Sequence, residues 1–227
     1  MCKWPWSVPM NLDDLERLEE VTLSMVVQAI IDYKDRAVII FKEETDKAQD
    51  IVEDVTREAL DEMHIPKINL RLYGKADVKK AIYVFLPKAI PVALMLDTKT
   101  EKSDENTATI QMSQTSMCVR MKHADKILNE QGKLETVIKR EKKTLQTVTI
   151  IVKYLYTEQV LGYRLSKIIV ACIPNGQLQE KYNPDAEHTI WRTGRNAPTL
   201  GEDFRVRVKF NELKKHADWR VHDIPIQ

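Results

Sequence analysis

Glycine is scarce in this chain, 6 among 227 residues, and neither G-x-x-x-x-G-K-[ST] nor G-x-G-x-x-G occurs. Chemistries that cradle nucleotide phosphates in glycine loops are therefore excluded. Cysteine is scarcer still: Cys2, Cys118 and Cys172 are odd in number, far apart and without C-x-x-C spacing. Neither a disulfide framework nor a structural zinc site is expected from them, and they fit a reducing, cytoplasmic setting. Long hydrophobic runs are missing too. The longest, Ala81 to Leu96, is broken by Pro87, Lys88 and Pro91, so no membrane span is expected. The opening residues lack a charged segment followed by an apolar one, and no secretory signal is expected. The five histidines (His64, His123, His188, His216, His222) form no cluster that would carry histidine-based nuclease chemistry.

Neither sign of charge dominates, with 35 Lys and Arg against 34 Asp and Glu, but the balance is uneven along the chain. Residues 1–117 carry 15 basic and 21 acidic side chains, whereas residues 118–227 carry 20 and 13. Such polarity can set a basic surface beside an acidic site. At 43% hydrophobic and 30% charged, the composition is that of a globular protein. The length suits one domain with its decorations, or two small ones at most.

Residues 1–10, with two Trp and two Pro, read as an extended arm, and residues 11–227 as a single domain. From Asn11, a plausible N-cap, apolar residues recur every three or four positions to Tyr33, which predicts a long amphipathic helix over 11–42. A second helix is expected after Thr45, ending by Pro66. Strands are expected at 68–73, 77–86, 90–99, 146–156, 164–173 and 204–210, and a short helix at 211–217. The stretch 101–116 reads as polar, and the charged segment from there to about Lys143 as weakly helical. A loop rich in Pro, Asn, Gly and Arg covers 182–202. This order fits an α/β fold with a mixed central sheet flanked by helices.

The chemistry is concentrated where the apolar run ending at Leu96 meets Asp97-Thr98-Lys99. On a strand Asp97 and Lys99 share a face. Antiparallel pairing about residues 87–90 could bring in Asp77 from the preceding strand. Two carboxylates and a lysine so placed suit phosphodiester hydrolysis: the carboxylates would hold Mg²⁺, which prefers oxygen ligands, and the lysine would orient or deprotonate a water. The tripeptide alone is weak evidence, since Asp/Glu-x-Lys also begins at Asp32, Asp77, Glu141 and Glu212. Asp97 differs by ending an apolar strand, where a charge needs a partner. An ion pair with Lys99 at a sheet edge fits that pattern as well.

Several segments resemble, in order and in spacing, the Type II restriction endonucleases of the SfiI type. They are Leu12-Asp13-Asp14-Leu15-Glu16, Glu53-Asp54-Val55-Thr56, Asp77-Val78-Lys79, Leu96-Asp97-Thr98-Lys99 with Thr100-Glu101-Lys102, Ser113-Gln114-Thr115-Ser116-Met117, Lys181-Tyr182-Asn183-Pro184-Asp185, Gly201-Glu202 with Arg205-Val206-Arg207-Val208, and Trp219-Arg220. The resemblance runs from about residue 11 to 222. It implies a PD-(D/E)xK nuclease core with Asp77, Asp97 and Lys99 as the catalytic triad, Mg²⁺ as cofactor, and Glu53 as a further carboxylate able to reach the metal through water. It also implies double-stranded DNA as substrate, an interrupted, G·C-rich palindromic target, a homodimer or homotetramer, and a cognate DNA methyltransferase as functional partner. Two departures stand out: Ala76 replaces the proline before the first aspartate, and Ser103-Asp104-Glu105 is acidic where the resemblance leads one to expect a basic DNA-contacting residue.

DNA contacts are expected from the basic C-terminal part, about 182–220. Arg205, Arg207 and Lys209 alternate along one predicted strand and so share a face, while Arg192 and Arg195 lie in the preceding loop. Arginines so placed can read guanine edges or merely hold phosphates. A less specific repair nuclease of the same fold and a non-catalytic DNA-binding protein are the rival readings.

Overall fold

A computed structural model describes residues 10–64, 67–71, 78–84, 90–103, 105–123, 125–140, 142–194 and 205–226. The helices α1 (Leu12–Glu43) and α2 (Ala48–Glu62) come first, then the strands β1 (Lys67–Arg71), β2 (Val78–Val84), β3 (Ile90–Glu101) and β4 (Thr107–Gln111). After a 3-10 turn at Met112–Gln114 follow β5 (Cys118–His123), β6 (Lys126–Gln131), β7 (Val137–Arg140), β8 (Lys143–Glu158) and β9 (Tyr163–Ile173). The chain closes with α3 (Gln179–Tyr182), β10 (Trp191–Thr193), β11 (Arg205–Lys209), α4 (Phe210–His216) and β12 (Val221–Pro225). The expected arm, apart from Met10, lies outside the described residues.

Helix α1 starts where its signals say it should. The Asn11 side chain accepts from the Asp14 backbone N–H at 2.7 Å, and Asp13 and Asp14 sit in the first turn. Its apolar stripe, from Leu18 through Ile30 to Phe41, packs with Val52 and Val55 of α2 on one face of the main sheet, against Val92, Leu94, Leu96, Ile150, Val152 and Val170. The sheet runs β1-β2-β3-β8-β9-β12, with β7 added alongside β8. Among the described residues only β3 and β8 pair in parallel; the other pairings of this sheet are antiparallel. Long β8 and β9 are buried on both faces over most of their length, hence their β-branched runs. Gly162 turns β8 into β9 at φ +68°, packed against the Lys42 carbonyl at the end of α1.

The other face of the sheet is covered mainly by strands. A three-stranded sheet β10-β11-β4 and the hairpin β5-β6 lie there, with α4. Ala108, Ile110, Val119, Met121, Trp191, Val206 and Val208 meet Ile151, Ile169 and Ala171 in a second core. The polar stretch 101–116 holds β4, and the sequence reading beyond it is corrected, since β5 to β7 replace the weak helix. Lys and Glu raised the apparent helix propensity, but the spacing of buried residues decides: Val119 and Met121, like Ala108 and Ile110, recur every second position. The segment is the crossover that a parallel β3–β8 pair requires, and here it carries a sheet of its own.

The C-terminal end is sewn to α1 through buried charge. Arg220, fully buried between the rings of Tyr182 and Trp219, pairs with Glu19 Oε2 at 2.7 Å. Glu19 Oε1 accepts from the Asn175 backbone N–H at 2.7 Å. Burial raises the Glu19 pKa despite this arginine, a measure of how dry the site is. No helix among the described residues is long and apolar enough to cross a membrane.

Candidate active site

Strand β3 presents two chemically different faces. Leu94, Leu96, Thr98 and Thr100 look towards α2, where Gln49 Nε2 donates to the Thr98 carbonyl at 3.2 Å and Thr100 Oγ1 donates to Gln49 Oε1 at 3.3 Å. Met95, Asp97, Lys99 and Glu101 look the other way, under the small sheet. The main chain is thus pinned by α2 while the charged residues are left to the opposite side.

Asp97 is 5% exposed. Its Oδ2 lies 2.8 Å from Lys99 Nζ, and its Oδ1 accepts from Gln114 Nε2 at 2.9 Å. Gln114 is itself oriented, because its Oε1 accepts from the Gln111 backbone N–H at 3.0 Å in the turn that follows β4. Lys99 keeps partial access to solvent, with its side chain 22% exposed. A buried carboxylate with both oxygens directed, beside a lysine open to solvent, can hold a hard cation and orient a nucleophile near it. On the β2 side, Val78 pairs with Leu96 in the expected antiparallel register. Asp77, the residue before Val78, lies outside the described residues. Among the described residues no group of three or more His, Cys, Asp and Glu is arranged as a metal site. Glu53 lies on α2, where its Oε1 accepts from Gln49 Nε2 at 2.9 Å, on the face opposite Asp97.

The basic residues gather on the polar face of the small sheet. Arg207 lies opposite Arg192 on β10 and opposite Thr109 on β4, and Arg205 opposite Gln111, so these side chains share one face, with Val206 and Val208 buried behind. Lys209 shares it, and burial lowers its pKa. Arg205 Nε is buried without a hydrogen-bond partner among the described residues. Arg207 is different: Nη2 pairs with Glu101 at 2.9 Å and Nη1 with Glu105 at 3.4 Å. Arg195 lies outside the described residues. The Tyr-Asn-Pro-Asp segment proves architectural. Asn183, buried, pairs with both backbone groups of Arg120 at 2.9 Å and holds the loop 183–190 against β5.

A family model described as "Type II restriction enzyme SfiI" matches residues 35–224. The chain belongs to the SfiI family of Type II restriction enzymes. It is a restriction endonuclease, a DNA-binding hydrolase of PD-(D/E)xK architecture. The SfiI enzyme of Streptomyces fimbriatus is 30% identical over 231 residues, 95% of this chain and 86% of that protein. A crystal structure of tetrameric SfiI bound to cognate DNA superposes with TM-score 0.87 at 27% identity, over 96% of this chain and 86% of that one. The restriction endonuclease BglI, bound to its DNA recognition sequence, shares the fold at TM-score 0.72 and 16% identity, over 93% and 90% of the two chains.

Three side chains of the candidate site in this SfiI-family chain were given no role by the sequence reading: Gln114, Glu101 and Lys153. Gln114 carried no signal beyond its place in a resembling segment. Lys153 did carry one, as the lone charge in the run Val148 to Tyr156.

Proposed function

We propose that the protein is a Mg²⁺-dependent, sequence-specific endonuclease that hydrolyses both strands of a palindromic, G·C-rich, interrupted target. Asp77 and Asp97 hold the ion and Lys99 positions the attacking water. The observation that carries this reading is the Asp97 carboxylate, buried at the end of an apolar strand and directed by Lys99 and Gln114 at 2.8 and 2.9 Å. The donor chemistry fits a hard divalent cation, since a carboxylate offers the oxygens that Mg²⁺ prefers. When bound, the ion supplies positive charge against the charge that develops on the phosphate. Asp97 binds, Gln114 keeps its carboxylate from rotating, and the Lys99 ammonium donates towards the incoming phosphate or water. Glu53 could contribute only through a water, because its hydrogen bond to Gln49 keeps it on the other side of β3.

The reading face of Arg192, Arg205, Arg207 and Lys209, with Arg195 from the adjoining loop, contacts the duplex. It belongs to the C-terminal part, 182–220, of a single domain over 11–227. A double-strand cut at a palindrome calls for two active sites, hence a homodimer or homotetramer. Host DNA would need protection by a cognate methyltransferase. Digestion of a long DNA in Mg²⁺ tests the reading: discrete bands support it, a smear favours a less specific repair nuclease, and intact DNA leaves a binding protein. If the assembly is a tetramer holding two targets, a plasmid with two targets should be cut faster than one with a single target, and a short duplex bearing the target should accelerate the latter. Equal rates, with a dimeric mass by sedimentation on DNA, would leave a dimer.

A further inference from the structure

Lys153 is fully buried and lies opposite Lys99 in the parallel register of β8 and β3. A buried ammonium is costly unless paired. Lys153 Nζ meets Glu101 Oε2 at 2.7 Å and the Thr107 carbonyl at 2.9 Å. The other carboxylate oxygen, Glu101 Oε1, accepts from Arg207 Nη2 at 2.9 Å, and Arg207 Nε donates to Thr107 Oγ1 at 2.8 Å. The contacts close into a ring, Lys153–Glu101–Arg207–Thr107, that joins β8, β3, β11 and β4. Stability alone does not call for such a ring, because apolar residues of similar volume commonly replace buried ion pairs without loss. The ring supplies orientation. An arginine held at Nε and at Nη2, with Glu105 at 3.4 Å from Nη1, has lost most of its rotamer freedom, and its guanidinium plane is fixed. Glu101 also stands two residues beyond Lys99 and four beyond Asp97, on the same face of one strand.

We propose that Glu101 is a positioning residue: anchored on buried Lys153, it sets the Arg207 guanidinium towards DNA and ties that placement to Lys99 and Asp97 along β3. Recognition and phosphate placement then share one rigid link. The inference rests on the endonuclease reading and adds to it a coupling between the two surfaces.

The test uses two duplexes, one carrying the target mapped from digestion by the wild-type protein and one with that target scrambled. Binding is measured in Ca²⁺ and single-turnover cleavage in Mg²⁺, for wild type, Glu101→Gln, Arg207→Lys and the double variant. Glu101→Gln should lower the preference for the target, and the cleavage rate of bound target, by about tenfold or more. Combined with Arg207→Lys it should add little, since the two act as a unit. Unchanged preference in Glu101→Gln, or fully additive losses, would overturn the proposal. Because Glu101→Gln leaves Lys153 without its counter-charge, a Glu101→Gln/Lys153→Met variant is included, in which the buried charge is gone. Positioning predicts that preference stays low while the melting temperature recovers. Recovery of both would make the ring merely structural and overturn the proposal. A wild-type protein that cuts no DNA removes the endonuclease reading and this inference together; a cutting wild type with additive variants removes the inference alone.

Discussion

On the proposed reading Asp97 binds the metal and Gln114 directs its carboxylate, and their variants should separate cleanly. Asp97→Ala should abolish cleavage in Mg²⁺ while leaving target binding in Ca²⁺ intact, because the carboxylate faces phosphate chemistry and not a base edge. A gel assay showing about a tenth of the wild-type rate would already remove Asp97 from the mechanism. Gln114→Leu keeps the volume and removes the amide that donates to Asp97 Oδ1 at 2.9 Å. Supports of this kind are worth about 10–100-fold in metal affinity or activity. The loss should therefore be partial, and part of it should be recovered as Mg²⁺ is raised in a rate titration. A Gln114→Leu protein with the wild-type Mg²⁺ dependence would show that Asp97 needs no such support.

At the scale of elements, the loop between α3 and β10 owes its form to Asp185. Asp185 Oδ1 accepts from the backbone N–H groups of Glu187 and His188, each at 2.7 Å, and Oδ2 meets His188 Nδ1 at 2.8 Å. The His188 backbone N–H, then its ring, then the Glu187 N–H hold the Asp185 pKa down at about 2 against an ordinary 3.8. Asp185 in turn raises the His188 pKa above 6.5. The signs set a window. A depressed carboxylate contributes fully above 3.8 and loses its effect as pH falls through about 2, whereas a raised imidazole contributes fully below 6.5 and loses its effect as pH rises through the elevated value. The loop should therefore be most ordered between those limits. Both groups are exposed, so the effect is local and belongs in an NMR titration, not in a melting curve. His188 should titrate above 6.5 in the wild type and lower in Asp185→Asn. An unmoved imidazole would break the pair.

Across the whole molecule, the Glu19–Arg220 pair locks the last turn of chain to the first helix over 201 residues of sequence. Both side chains are fully buried, so Arg220→Ala leaves a carboxylate in an apolar site. A broken buried pair costs about 3–5 kcal/mol, a large share of the stability of a domain this size. Denaturant unfolding should register that loss, and Glu19→Gln combined with Arg220→Met should recover much of it. A double variant as unstable as Arg220→Ala alone would mean that the geometry of the pair, and not its charge balance, holds the end of the chain.

Much of this protein is determined locally, and that part was legible in the sequence. The capping Asn11 and the three-to-four spacing after it specify α1, because helix signals act within one or two turns. Apolar runs specify β3, β8 and β9, and the abrupt arrival of Asp97 and Lys99 at the end of one of them marks the candidate site. The charged segment 117–143 misled because its local propensity and its tertiary role disagree: Val119 and Met121 become strand residues only once β5 has the second core to bury them in. Arg207 shows the same limit at the site. Its alternation with Arg205 places it on the basic face, but only the fold brings Glu101, Glu105 and Thr107 to its guanidinium across about a hundred residues of chain. Sequence patterns report the environment a residue needs along its own element; which charges meet between elements is decided by packing, because a buried ion pair depends on ångström-scale distances that no spacing along the chain records.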